Sequence, residues 1–309
     1  MFNVEVIAMS AIKSSSPIWL TTLITAYAPM IWGTTYLTTT EFLPPDRPFL
    51  AGAVRSLPAG LALLLLVRRL PQGAWWWRSA VLGVLNIGVF FALLFVAAYR
   101  LPGGVAATLG AVQPLWVAVL AWLVLAEKPG LWRLGWGLAG VVGVALLVLK
   151  GELWLDPVGL MAGLVAMGSM GLGVVLTRHW GRPTSMLALT AWQLIAGGLL
   201  LMPLALWVEG LPPMLDARAV AGYLWLSIPG SIVAYWLWFR GINQLPVSAV
   251  SFLGLLSPVV ATLLGWWVLG QALSAWQWLG FLLALAAMLA AQFQPKWGLG
   301  RFSPGRAGV

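Results

Sequence analysis

From Gly241 to Pro295 the chain carries no charged side chain, and runs of the same kind recur along most of its length. In hydrocarbon every backbone N–H and C=O must be satisfied internally, so such runs cross a bilayer as helices, at roughly 20 residues per crossing. Windows free of charge, or nearly so, fall at 18–38, 49–67, 79–99, 103–126, 131–149, 157–177, 186–207, 219–239, 247–269 and 275–293. The last two are divided at "GQALSAWQ", residues 270–277, where Gln271, Ser274 and Gln277 form a polar notch. The expectation is an all-α integral membrane protein with ten transmembrane helices and short connections. Composition agrees: 8% of residues are charged and 61% hydrophobic, whereas soluble domains carry about 25% charged residues. A chain this apolar has lipid as its main solvent.

Charge placement sets the expected orientation. With the N-terminus inside, cytoplasmic segments hold twelve Lys and Arg residues, and outer segments hold Arg47, Arg100, Lys150 and Arg218. That excess is the positive-inside pattern. Acidic residues run the other way, with Glu41, Asp46, Glu152, Asp156, Glu209 and Asp216 all outside. Residues 1–17 read as a cytoplasmic N-terminal segment; Glu5 interrupts the start, and no small-residue cleavage site follows an apolar core. Residues 294–309, rich in Gly and Pro, read as a disordered cytoplasmic tail. The net charge of +9 forms no basic patch, which argues against a nucleic-acid partner. Cysteine is absent, so disulfides and thiolate metal sites are excluded. No metal site or cofactor is expected.

The chain also repeats itself. Leu101-Pro102 matches Leu245-Pro246, Pro114 matches Pro258, Leu125 matches Leu269 and Trp132 matches Trp276, all 144 residues apart. Gly33 with Gly171, Arg55 with Gln193 and Gly60 with Gly198 are 138 apart. One six-residue insertion reconciles the two offsets. The halves are a first five-helix repeat, 18–149, and a second, 150–293. Five is odd, so the second copy is expected to enter the membrane inverted. Inverted repeats are an architecture of secondary transporters, with the solute bound near the midplane between the halves.

Several stretches carry a family resemblance: "WGTTY" (32–36), "LPGGVAATLGAVQP" (101–114), "VLAEKP" (124–129) and "GSIVAYWLWFRGINQLPVSAVSFLGLLSP" (230–258). In order and spacing they resemble the ten-helix EamA-type branch of the drug/metabolite transporter superfamily, over residues 18–293. Within it the chain resembles bacterial exporters of aromatic and other neutral amino acids. The resemblance implies a solute carrier of the bacterial inner membrane. One departure is Gln271, where family members often place Glu.

Polar and aromatic residues deep in spans are the candidate solute contacts. In the eighth helix Ser227, Ser231, Tyr235 and Trp238 fall at helical spacing on one face, suited to amino-acid backbone groups and an aromatic ring. A serine-lined helix contact with Trp238 as interfacial anchor is the structural alternative. Asn86, with Phe90 one turn on, must face the bundle, as glue or as ligand contact. Tyr99 aligns with Asn243; an aromatic-belt position also suits it. Gln113 precedes Pro114, where the helix loses a backbone hydrogen bond. Trp32, Trp192 and Gln193 read as inner-face residues. Arg55 is the one charge well inside a span, either partner to a solute carboxylate or an arginine that snorkels toward the interface or serves the structure.

No Asp or Glu lies within any predicted span, and the only histidine, His179, sits beside Arg178 at a helix end. Proton coupling through a buried carboxylate is therefore not expected, and no phosphate-binding Gly-Lys loop is present. The reading is a secondary exporter of neutral amino acids, aromatic ones included, acting as a carrier in the lipid bilayer; a monomer suffices for it. The competing readings are a carrier of another small metabolite or amphiphile, a channel, and, remotely, a lipid enzyme. The last lacks a catalytic constellation.

Overall fold

The computed structural model describes residues 17–128, 130–149, 155–181, 183–212, 214–242, 244–245 and 253–290. The apolar windows become helices, and no strand occurs among the described residues. Ten helical spans follow in order: α1 (Ile18–Gly33, continued as Thr35–Phe42), α2 (Pro48–Val67), α3 (Trp75–Arg100), α4 (Gly103–Leu125), α5 (Leu131–Leu149), α6 (Pro157–Trp180), α7 (Met186–Glu209), α8 (Ala217–Ser227, Ile228–Val233 and Ala234–Ile242), α9 (Leu256–Leu269) and α10 (Ala275–Ala290). The protein is an all-α integral membrane protein. Most of the predicted N-terminal segment and tail, and the predicted start of the ninth helix, lie outside the described residues.

The helices depart from regular α geometry at places the apolar pattern does not mark. In α1, Pro29 weakens the ladder, and the helix breaks at Thr34, whose hydroxyl donates to the Ile31 carbonyl at 2.7 Å. Each of α3, α7 and α8 contains one π-helical turn: Val84–Val89, Ala205–Glu209 and Ile228–Val233. In α8 the cause is Pro229, which has no N–H to donate and crowds the preceding turn. The turn widens, and Ser231 Oγ donates to Leu226 O, five residues back, at 3.0 Å. The polar notch before α10 is a capping box: Ser274 N–H donates to Gln277 Oε1 at 3.0 Å, and Gln277 N–H to Ser274 Oγ at 3.3 Å.

Side-chain contacts gather the connections at two ends. At the acidic end Arg218 pairs with Glu41, and Arg100 with Asp156 at 2.7 Å. Arg47 donates there to the Glu209 and Gly210 carbonyls, while the Glu209 carboxylate accepts the Phe49 and Leu50 N–H groups at the start of α2. At the basic end Arg178 pairs with Glu127, and Arg69 donates to Thr184 Oγ1. Arg78 there lies over the rings of Trp75, Trp77 and Trp180, so the tryptophan triplet opens α3 as an aromatic anchor.

Glycines let the helices meet at the centre. A Cβ at Gly60 of α2 would come within 2.8 Å of the Ile195 backbone nitrogen, and one at Gly198 of α7 within 3.0 Å of the Leu57 nitrogen. Leu57 and Ile195 are themselves 138 residues apart, so each helix offers the other the same surface. α5 and α10 repeat the device, with Gly143 against Ala284 and Gly140 against Ala287.

Candidate functional site

The site is built around Arg55. Its side chain is only 3% exposed, so it does not snorkel, and the structure sets that alternative aside. The guanidinium is held from three other helices. It donates to Thr35 Oγ1 (α1) at 3.2 Å, to Ser231 Oγ (α8) at 3.4 Å and to the Gly230 carbonyl at 3.5 Å. The Phe91 ring of α3 lies beneath it, 4.7 Å from the guanidinium carbon. All these partners are neutral, and no carboxylate among the described residues pairs with Arg55. The bonds to Ser231 and Gly230 are also long for N–H···O, whose usual range is 2.7–3.2 Å. A buried cation in such a setting is short of acceptors, and a planar carboxylate matches its fork.

An aromatic wall adjoins it. Trp32 donates its indole N–H to the same Gly230 carbonyl at 3.0 Å. Its ring lies 5.6 Å from Tyr235 and 5.5 Å from Trp238, and Tyr235 stacks on Phe239. Such ring faces attract apolar groups and cations. Thr35 and Ser231 are buried with Arg55, whereas the rings of Trp32, Tyr235 and Trp238 are half-buried.

The structure thus brings Trp32, Arg55, Ser231, Tyr235 and Trp238 together, and Phe90 adjoins them through Phe91, 5.6 Å between ring centroids. Asn86 and Gln193 form a separate pair, Asn86 Nδ2 donating to Gln193 Oε1 at 2.7 Å. Tyr99 sits at the acidic end, donating to the Pro44 carbonyl at 2.8 Å. Trp192 sits at the basic end, its N–H on the Arg69 carbonyl at 2.7 Å among Val67, Leu82 and Leu189. Gln113 is half-buried where the 3₁₀ turn Leu109–Val112 passes into the rest of α4, and no side-chain hydrogen bond joins it to a described residue. Asn243 lies outside the described residues. The serine stripe of α8 is divided by the π turn, so Ser227 donates instead to the Val54 carbonyl of α2 at 2.7 Å.

Thr35, Gly230 and Phe91 were not singled out from the sequence. Thr35 lies one turn beyond Trp32 and was within reach of a helical-face reading. The Gly230 carbonyl was not, because the π turn presents it. A crevice of about 620 Å³ runs between α4, α5 and α6, lined by residues such as Leu109, Trp116, Val144 and Leu160. Its lining is apolar side chains throughout, so it has nothing to hold a carboxylate and is not the candidate site.

The profile of the EamA-like transporter family matches the chain twice, over residues 16–149 and 157–291. The chain belongs to the EamA-like transporter family. This places it in the drug/metabolite transporter superfamily. The two matched regions are separated between α5 and α6, where the sequence repeat divides. Among relatives, Protein PecM of Dickeya dadantii (strain 3937) is 47% identical over 268 residues, covering 86% of this chain and 90% of that protein. The uncharacterized inner membrane transporter YedA of Escherichia coli (strain K12) is 31% identical, covering 81% and 83%. One solved crystal structure superimposes with a TM-score of 0.61 at 19% identity, covering 88% of this chain and 96% of its own, a likeness of fold.

Proposed function

We propose that this EamA-type protein is a secondary exporter of neutral amino acids, aromatic ones included, in the bacterial inner membrane. It works by alternating access between two five-helix units of opposite orientation, with both termini in the cytoplasm; transport, not catalysis, is its activity. The observation that carries this reading is Arg55: a buried guanidinium, hydrogen-bonded to neutral acceptors only, beside the rings of Trp32, Tyr235 and Trp238. The solute carboxylate takes the guanidinium fork, while its apolar side chain packs on the aromatic wall. The ammonium group rests against ring faces. Opposite orientation of the units is supported by the closing contacts: the end of α3 touches both the Pro44 carbonyl just after α1 and Asp156 at the start of α6, so the last turn of α1 and the first turn of α6 lie at the same end.

Because Arg55 and its polar partners are buried, the solute carboxylate reaches the guanidinium only when the units move apart on one side. No acidic side chain adjoins Arg55 among the described residues, which favours movement down the solute gradient or exchange over proton coupling. Reconstitution into liposomes with a panel of labelled neutral amino acids tests this. The reading expects uptake stimulated by unlabelled solute inside, with no requirement for a pH gradient. Flux without such stimulation would mark a channel, and accumulation driven only by a pH gradient would overturn the uncoupled mechanism.

A further inference from the structure

The π turns of α3 and α8, Val84–Val89 and Ile228–Val233, are 144 residues apart at both ends, the offset of the sequence repeat. Their surroundings correspond as well. The α8 turn receives Arg55 from α2 on the Gly230 carbonyl and Trp32 from α1 on the same oxygen. At the α3 turn, Asn86 meets Gln193 from α7, and the Leu85 carbonyl accepts Ser169 Oγ from α6 at 2.8 Å. Asn86 is the counterpart of Gly230, and Gln193 of Arg55. The Asn86–Gln193 pair is therefore the second copy of the Arg55 cluster, across the Gly60–Gly198 crossing.

The two copies differ in what they leave free. Around Arg55 a cation lacks strong acceptors. Around Asn86 the amides close on each other in a short bond, and Asn86 Oδ1 is buried with no donor. It is pressed on Gly173 of α6, where even a methyl group would collide with it. A buried unsatisfied acceptor disfavours the state that contains it. One side-chain bond across α3 and α7 thus secures an arrangement that is otherwise strained in hydrogen bonding.

We propose that Asn86 and Gln193 are positioning residues forming a latch, which holds the α3 turn against α7 in one access state and parts in the other. The proposal rests on the alternating-access reading but not on the solute. Removing the latch should move the balance of states without touching the solute site. By population-shift arithmetic, losing one hydrogen bond changes the ratio of states by about three- to tenfold.

The chain has no cysteine, so single thiols report cleanly. Thr25 and Thr39 are buried on the two segments of α1, either side of its break at Thr34, and Thr→Cys changes little volume. Each reporter is placed in the full-length protein, unchanged or carrying Asn86→Ala, Gln193→Met or both, and labelled with an impermeant maleimide from each face. A latch predicts reciprocal changes: labelling of one reporter rises about three- to tenfold while the other falls. The double variant should match either single one. Volume-conserving Gln193→Met keeps the test open if Asn86→Ala does not fold. Labelling that rises at both reporters would mean general loosening, and unchanged labelling would mean a passive contact; either result overturns the latch. Failure of amino-acid counterflow in the unmodified protein would instead count against the proposed solute.

Discussion

Arg55 shows how far one residue type can be read from sequence and where that stops. A charge inside an apolar span marked it as functional, structural or snorkelling, and hydropathy alone cannot separate these. The decision came from the elements around it: α1, α3 and α8 close over the guanidinium and supply only neutral partners. Lysine is a poor substitute at such a site, since it lacks the planar fork and the stacking face. Arg55→Lys should therefore insert normally yet raise the KM for solute about tenfold or more, some 1.4 kcal/mol, measured by uptake into proteoliposomes. Tyr235→Ala should weaken aromatic solutes more than small ones, because it removes part of the ring wall and leaves the fork. Equal losses for alanine and phenylalanine would show that Tyr235 is scaffold. Trp192 and Tyr99 show the opposite limit: both are aromatic, within spans and partnered, yet contacts at the two ends account for both.

At the scale of elements, windows nearly free of charge located the helical spans because the cost of burying charge in lipid is large and local. Their irregularities were less legible. Pro229 signals a disturbance in α8, but nothing in "VLNIGV" signals the π turn of α3, which depends on what packs beside it. The glycine pairs at the α2–α7 crossing were visible as a 138-residue repeat, while their contact required the fold. Gly60→Ala and Gly198→Ala should each destabilise the protein by about 1–3 kcal/mol, as overpacking does, read as a lower apparent melting temperature in detergent. The start of α6 carries a pH-dependent element. The hydrogen bond from Arg100 holds the Asp156 carboxyl below its ordinary value of 3.8, with help from the Val158 and Gly159 N–H groups. A carboxyl lowered in the folded state stabilises it above the unfolded value, and that contribution is lost as pH falls through the folded value. Asn can still cap the helix. Wild type and Asp156→Asn should therefore differ in melting temperature at neutral pH and converge as the medium is taken below the usual carboxylate range.

The whole molecule follows from a short apolar plan written twice. The duplicated family match and the paired glycines describe two units that share one design. Their polar centres have diverged, one keeping a cation and the other an amide pair. That divergence was hidden in the sequence, where Arg55 and Gln193 aligned without any sign of what each would meet. Everything proposed for transport requires the units to lie upside down relative to each other. Single cysteines replacing Pro17, before α1, and Val158, in the first turn of α6, are both exposed reporters of where each unit begins. Labelled with a membrane-impermeant maleimide in intact cells and in inverted vesicles, the two positions should react from opposite faces. Reaction of both from the same face would contradict the account.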